Sequence, residues 1–487
     1  MPGPALPAVM NGPDSFEFVG ETGTLANGWN DQNKSALWVY NLHYFDDLRR
    51  AGSLDRRPWH SALIARWIRE NPPVEGAGWA PYPTSLRMVN WIMWDMAGSE
   101  LGDEARRSLA NQAGWLARNL ETHILGNHLF SNLKALVFAG SYFSGETADR
   151  WLALGLERLG REVREQVLSD GGNFELSPMY HAIFLADLLD LVALDRVFPG
   201  RLPRSLVEDI SRTAGRMLGW LAVMTHPDGD PPHFNDCAIG IASGLAELKA
   251  YAVRLGIAQL TVGERIEGRG ATAIHLAESG YVRLEGSGAV AFCDVAQIGP
   301  SYLPGHGHAD TLSYELSVGR RRIVVNGGTS CYGTGPIRLH ERGTSAHSTV
   351  VAEVNSSEVW GGFRVARRAR PMDVKLTRTA DGLSLSAAHD GYRRLPRKPV
   401  HHRTWTMRAN ELEIRDLMFP EIPAVARNIL YPDVSKELPE GILYDVPTGS
   451  EGREPAFYAQ RFGVRLATSA IDVRLTKGEA VIQWRWN

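Results

Sequence analysis

The strongest constraint on this chain is a change in the repeat of its apolar residues near residue 265. Upstream the spacing is helical. Leu109, Ala113, Leu116 and Leu120 follow steps of four, three and four, and Leu152, Leu156, Leu159, Val163 and Val167 follow steps of four, three, four and four in a second segment. Each set falls on one helix face. The runs Ile183–Leu194 and Leu206–Met224 read as further helices. Downstream the period is two, as in Val282/Leu284, Val374/Leu376, Leu383/Leu385 and Val473/Leu475. Asp381-Gly382 is a favoured hairpin turn pair, and Asn410-Glu411 separates Trp405/Met407 from Leu412/Ile414. Serial amphipathic helices hide their stripes against one another, and alternating strands pair. The expected organisation is a Gly/Pro-rich irregular lead-in (1–30), a helical array or toroid (31–265) and an antiparallel sandwich or stacked-sheet region (266–487).

The chain has 487 residues, room for two or three domains at roughly 150 residues each. Lys and Arg number 52 against 55 Asp and Glu, which argues against a dedicated nucleic-acid partner. No apolar run is long enough for a membrane span. Three distant cysteines, Cys237, Cys293 and Cys331, form neither a disulfide framework nor a zinc motif. The first residues lack the basic and apolar regions of a secretory leader. Nucleotide-binding glycine loops, the serine-hydrolase elbow and His-Glu-x-x-His are absent.

Polar chemistry is concentrated in a few islands. His306 and His308, flanked by Gly305 and Gly307, stand two apart and would share a face if they lay in a strand. An apolar strand ends at Asn326, and His347 precedes a β-branched run. Two histidines with an oxygen ligand make a plausible three-ligand metal site, although Asn is a poorer ligand than Asp. In the helical half, Asn127, His128 and Asn132 form one island and Glu175, Tyr180 and His181 another. Polar groups in apolar helical text are either hydrogen-bonded in the core or functional. A third island, from His226 to Asp236, includes His233 and reads as a loop.

The order and spacing of YPTSLRMVNW, GNHLFSN, SPMYH, GHGHAD, VVNGG and RGTSAHSTVV followed by SSEVWGGF resemble the heparinase II/III-like family of polysaccharide lyases. The resemblance implies an incomplete (α/α) toroid followed by an antiparallel β-sandwich. It implies that Asn127 and His128 face a uronate carboxylate, that Tyr180 is the acid and in some relatives also the base, and that His306 can be the base. It further implies a divalent metal, zinc foremost or manganese, on His308, Asn326 and His347, with Asn326 where the family usually has Asp. Arg87, Asn132, Glu175, His233, Tyr332 and Arg342 are candidate substrate contacts; Arg338, Arg364 and Arg367 could also meet carboxylate or sulfate groups, with solvated surface the default for most such residues. The implied partner is an anionic polysaccharide, glycosaminoglycan- or alginate-like, and the family suggests a periplasmic or secreted location.

That chemistry suits the residue types. β-Elimination removes the weakly acidic C5 proton beside an ionised carboxylate, so donors at the carboxylate stabilise an enolate-like transition state while a base and an acid act at C5 and O4. A uronate C5-epimerase of the same fold would use the same proton abstraction. A non-catalytic glycan-binding protein would use none of it, and a glycoside hydrolase would need two carboxylates across a cleft.

Overall fold

The computed structural model describes residues 6–487. The chain divides into two compact units, each assembled from several segments. The first holds residues up to Val167, Ala182–Gly215 and Ala246–Gln259; the second holds Leu168–His181, Arg216–Leu245 and Leu260–Asn487. The helical text thus ends close to residue 265, but the units are not separated by one cut there, because two segments of it belong with the sheets.

Among the described residues of the first unit, the part expected to be an irregular lead-in is instead a three-stranded antiparallel sheet, Met10–Gly12, Ser15–Phe18 and Glu21–Thr24. Residues 1–5 of that lead-in lie outside the described residues. Phe16 and Phe18 alternate with exposed Glu17 and are buried, with Phe18 set edge-on against Trp38. The period-two signal was too short to stand out among glycines and prolines.

The helices follow the predicted stripes. Leu109, Ala113 and Leu116 are fully buried on Asp103–Leu116, as is Leu159 on Glu146–Gln166. The central helix, Gly126–Tyr142, is buried from Leu129 to Ser141. Its neighbour approaches closely because glycine permits it: a Cβ on Gly140 would lie 2.5 Å from the Leu152 amide nitrogen, and one on Gly155 would lie 2.8 Å from Val137. Buried Lys134 is satisfied by Asp187 at 2.6 Å and Asp190 at 2.7 Å, and Asp190 also accepts from Arg49. Full pairing is what makes an interior ammonium tolerable. Among the described residues no helix is long and apolar enough to cross a membrane.

The second unit is built on two antiparallel sheets. A ten-stranded sheet runs in the order Glu451–Tyr458, Leu466–Arg474, Val425–Leu430, Arg321–Val325, Tyr314–Val318, Ala289–Asp294, Tyr281–Gly286, Ala271–Leu276 and Glu264–Gly268, with Val350–Val351 paired to Val425–Leu430. A six-stranded sheet contains Pro371–Arg378, Gly382–His389, Val400–Arg408, Glu411–Phe419, Glu479–Trp486 and Ile442–Asp445. Leu284, Ala291 and Leu316 from the first sheet share one core with Leu385, Trp405, Ile414 and Trp484 from the second. Trp405 lies opposite Ile414 and Met407 opposite Leu412, the pairing expected from the alternating text. Asp381 sits in the turn before Gly382, and Arg378 pairs with Leu383 across it.

Candidate active site

In the second unit, Tyr180 stands on the first turn of the helix Pro178–Val197. Ser177 begins that helix: its Oγ accepts from the Tyr180 amide at 3.2 Å and donates to the Asp236 carbonyl. The preceding turn is strained where it delivers Glu175, since Leu176 has φ 59°, and the Tyr281 hydroxyl and Asn235 amide both donate to the Leu176 carbonyl. His181 belongs to the interior. Its Nε2 donates to the Met217 carbonyl at 2.9 Å, its Nδ1 accepts from the Asn173 amide, and burial pushes it down to about 3, so it stays neutral.

The segment carrying His306 and His308 is a loop rather than a strand, and the two imidazoles do not share a face. The condition for a shared face is not met, because the loop is fixed by neighbours instead of a ladder. The Asp236 amide donates to the His306 carbonyl, Asn235 Oδ1 accepts from the His308 amide, and Arg342 donates to the Gly307 carbonyl through Nε and Nη2. Gly307 is needed there, since a Cβ would lie 2.4 Å from Ile298.

His306 turns to Glu175 and Tyr180. Its Nδ1 donates to the buried Glu175 carboxylate, and its ring stacks on Tyr180 with centroids 3.9 Å apart and planes 15° from parallel. The Tyr180 and Tyr332 hydroxyls are 2.8 Å apart. Burial foremost, then Tyr332 and Asp236, raises Tyr180 well above the ordinary phenol value, so it is a neutral hydroxyl at physiological pH.

His308 turns the other way. Its Nε2 donates to Asp236 Oδ1 at 2.8 Å, and its Nδ1 lies 3.3 Å from His347 Nε2. Asp236 also receives a two-pronged ion pair from Arg338 and a 3.3 Å hydrogen bond from Thr329. Burial opposes ionisation of Asp236, but Arg338 and His308 outweigh it and hold the carboxyl well below its usual range. Arg338 is therefore interior, against its default reading as surface; its guanidinium lies 4.9 Å from the Tyr332 ring centroid.

Among the described residues no group of three or more His, Cys, Asp or Glu side chains is arranged to hold a metal ion. Two imidazole donors do suit one. Burial lowers His308 to about 4 and His347 to about 3, and Asp236 fixes the His308 proton on Nε2. His308 Nδ1 therefore presents a lone pair to His347 Nε2. Their 3.3 Å separation is close to the edge of about 3.3 Å between two imidazole nitrogens on one tetrahedral zinc. The Asn326 amide oxygen is partly engaged, accepting from the Ser348 amide at 3.0 Å, while its buried Nδ2 has no partner.

Besides Glu175, four candidate substrate contacts are interior. Arg87 is fully buried in the first unit, stacked 3.8 Å from the Trp67 centroid and bonded to Gln112, Thr84 and the His43 carbonyl. Arg342 in the second unit is equally buried and donates only to carbonyls. His233 is buried, with its amide on Glu315 and its ring against Tyr458. Asn132 is buried and holds Glu121, accepting from its amide at 2.8 Å and donating to Oε2 at 3.1 Å. These corrections share a cause: carbonyl cages and interior carboxylates that enclose a polar side chain come from distant sequence.

Asn127 and His128 open the central helix of the first unit, after left-handed Leu125 and Gly126. His128 Nδ1 donates to Glu121 Oε1 at 3.0 Å, its ring stacks on Tyr82 at 4.3 Å, and its side chain is 29% exposed. Glu121 thus orients the imidazole with Nε2 away from the carboxylate. Glu121 and the inward turn of Arg338 were missed by the motif reading, and Asp236 was read only as part of the His226–Asp236 loop.

Sequence profiles now bear on this geometry. The heparinase II/III N-terminal profile matches residues 104–253, and the heparinase II/III-like C-terminal profile matches residues 268–484. The chain belongs to the heparinase II/III-like family. It is similar to heparin-sulfate lyases of Bacteroides stercoris (29% identity over 121 residues) and Pedobacter heparinus (31% over 126). Those alignments cover 23% and 24% of this chain and only 17% and 18% of the relatives. In fold it resembles heparinase III, with a TM-score of 0.72 at 17% identity over 96% of this chain and 79% of that one. A heparan sulfate lyase of Pedobacter heparinus gives 0.62 at 17% identity, covering 97% and 81%. The fold class is therefore the expected one, an incomplete (α/α) toroid followed by an antiparallel β-sandwich.

Proposed function

We propose that this protein is a polysaccharide lyase that cleaves a uronic-acid-containing glycosaminoglycan by β-elimination, with Tyr180 as acid and His306 as base. The observation that carries the reading is the His306 cluster. Glu175 accepts a hydrogen bond from Nδ1–H, which leaves Nε2 as the basic nitrogen, and the parallel ring beneath it holds a phenol that burial keeps protonated. A phenol with a raised pKa is a poor base, so the roles divide: His306 Nε2 removes the C5 proton while the Tyr180 hydroxyl protonates the departing O4. The resulting imidazolium is stabilised by Glu175, and return of its proton to the phenolate resets the pair.

Asn127 and His128 are assigned to neutralising the uronate carboxylate on the strength of the family resemblance; with Nδ1–H held by Glu121, His128 serves that task in the form that also carries a proton on Nε2, which then donates to the carboxylate. Zinc, or another divalent ion, is assigned to His308 and His347 with the Asn326 amide oxygen. When bound, it supplies charge and rigidity rather than a reacting group. The named activities of the relatives favour an anionic, heparin- or heparan-type polymer over nucleic acid as partner.

Purified protein incubated with heparan sulfate, heparin, chondroitin, hyaluronan and alginate, followed by ultraviolet absorbance of the unsaturated uronate, tests the reading. Absorbance growth with a glycosaminoglycan that Tyr180→Phe abolishes is expected. Proton exchange at C5 without new absorbance would indicate an epimerase, and binding with neither would indicate a glycan-binding protein.

A further inference from the structure

Within the second unit, Val359–Trp360 and Arg364–Val365 pair as a short antiparallel hairpin with Gly361, Gly362 and Phe363 at its tip. The tip requires glycine: Gly361 has φ 54°, and a Cβ on Gly362 would lie 2.5 Å from the Gly333 carbonyl, next to Tyr332. Buried guanidiniums hold it from beneath. Arg338 Nε donates to the Gly362 carbonyl at 3.1 Å, and Arg342 donates to the carbonyls of Gly361 at 3.4 Å and Arg364 at 3.3 Å. Just beyond the hairpin, Arg368 donates to the carbonyls of Ile298, Pro300 and Ser301, on the loop leading to His306. So many attachments make the finger a firm platform beside the catalytic cluster.

Its outer surface does not resemble a core. Trp360 is 49% exposed and Phe363 44%. Phe363 sets its ring edge-on to His306, at 6.3 Å between centroids, and to Tyr332, at 5.3 Å. The Arg364 guanidinium lies 4.7 Å from the Trp360 centroid and covers one face of the indole. Arg367 is also exposed, 3.9 Å from Glu358. Rigid aromatic faces edged with cations, continuous with an acid and a base, match a pyranose ring that carries carboxylate or sulfate. Its C–H face can rest on the ring, and its anion can meet the fork of the guanidinium.

We infer that the Trp360–Arg364 finger is a substrate subsite for an anionic sugar adjoining the one that is cleaved. Trp360 and Phe363 supply the stacking surface and Arg364 the charge. The inference rests on the lyase reading for its place beside the reaction, but occupancy of the subsite does not require turnover.

The test measures binding and turnover separately. In the Tyr180→Phe chain, calorimetric titration with a heparan sulfate tetrasaccharide gives Kd, and Trp360→Ala and Arg364→Glu are each expected to weaken it by about tenfold, corresponding to about 1.4 kcal/mol. Arg364→Glu also flattens the salt dependence. Both side chains are exposed, so melting temperatures stay near that of the parent. In the active chain KM rises by the same factors. Binding through the finger without any unsaturated product removes the lyase reading and leaves the subsite. Cleavage with Kd and KM within twofold of the parent in both finger variants removes the subsite and leaves the lyase reading.

Discussion

His306 Nδ1 donates to the carboxylate of Glu175, 131 residues earlier in the chain. The contact sets which imidazole nitrogen is left basic, so in the proposed mechanism Glu175 positions the base. Glu175→Gln is expected to lower kcat on a uronate polymer by about 10²-fold while the melting temperature stays near that of the parent. Because the carboxylate acts through the imidazole, Glu175→Gln combined with His306→Ala should be no worse than His306→Ala alone. Additive losses in that cycle would assign Glu175 a separate role.

Tyr180 and Tyr332 share a 2.8 Å hydroxyl contact, but only Tyr180 also stacks closely on His306. Tyr180→Phe is expected to cost about 10²-fold or more in kcat, and Tyr332→Phe about tenfold, through loss of the partner that orients the acid. The raised pKa of Tyr180 means that its proton is retained to higher pH than in a free phenol. Its ionisation therefore contributes no fall in kcat below about pH 10. A pH–rate profile whose alkaline limb moved with Tyr180 substitution below that pH would contradict the assignment.

Much of this arrangement was legible beforehand, and the part that was not has a physical reason. The change of period separated helix from strand because burial of one face imposes it on each element, and Trp405 opposite Ile414 is that rule in detail. Tyr180 and His306 were readable because family motifs carry them. Arg87, Arg342 and Arg338 were not, since a guanidinium in sequence text looks the same whether it meets solvent, a ring of carbonyls or Asp236. The loop bearing His306 and His308 was left open between strand and loop, because the contacts of Asn235, Asp236 and Arg342 that hold its backbone come from distant sequence.

The Asp236–Arg338 pair is fully buried and also engages His308. Removing one partner strands the other charge in the interior. Asp236→Ala is thus expected to destabilise the protein by about 3–5 kcal/mol in urea unfolding. Asp236→Ala with Arg338→Met should recover part of that loss, whereas strictly additive losses would show that the two groups are not coupled.

Glu315 offers a pH test independent of catalysis. It is fully buried beside His226 and Arg322, and burial, only partly offset by Arg322, raises its carboxyl to about 7. A folded-state value above the unfolded one, about 4.3, makes protonation favour folding. The Glu315 contribution is therefore fully present below about pH 4 and is lost as pH rises through about 7. The stability difference between the parent and Glu315→Gln is expected to shift against the parent over that window. A difference independent of pH would place the Glu315 pKa outside it.

The facing ring nitrogens of His308 and His347 lead to the last prediction. At 3.3 Å, His308 Nδ1 and His347 Nε2 are bridged either by the His347 proton or by a cation, and these alternatives respond oppositely to chelation. With a resident divalent ion, elemental analysis finds about one metal per chain, chelator lowers the melting temperature, and His347→Ala abolishes both metal and chelator sensitivity. Asn326→Asp is the sharper variant, since it replaces a neutral amide oxygen with a carboxylate. It should tighten binding and raise the melting temperature in added zinc, because a hard anionic ligand neutralises charge that the amide leaves uncompensated. If instead a proton bridges the imidazoles, chelator has no effect, and the same substitution destabilises the chain by placing an unpaired carboxylate in the interior.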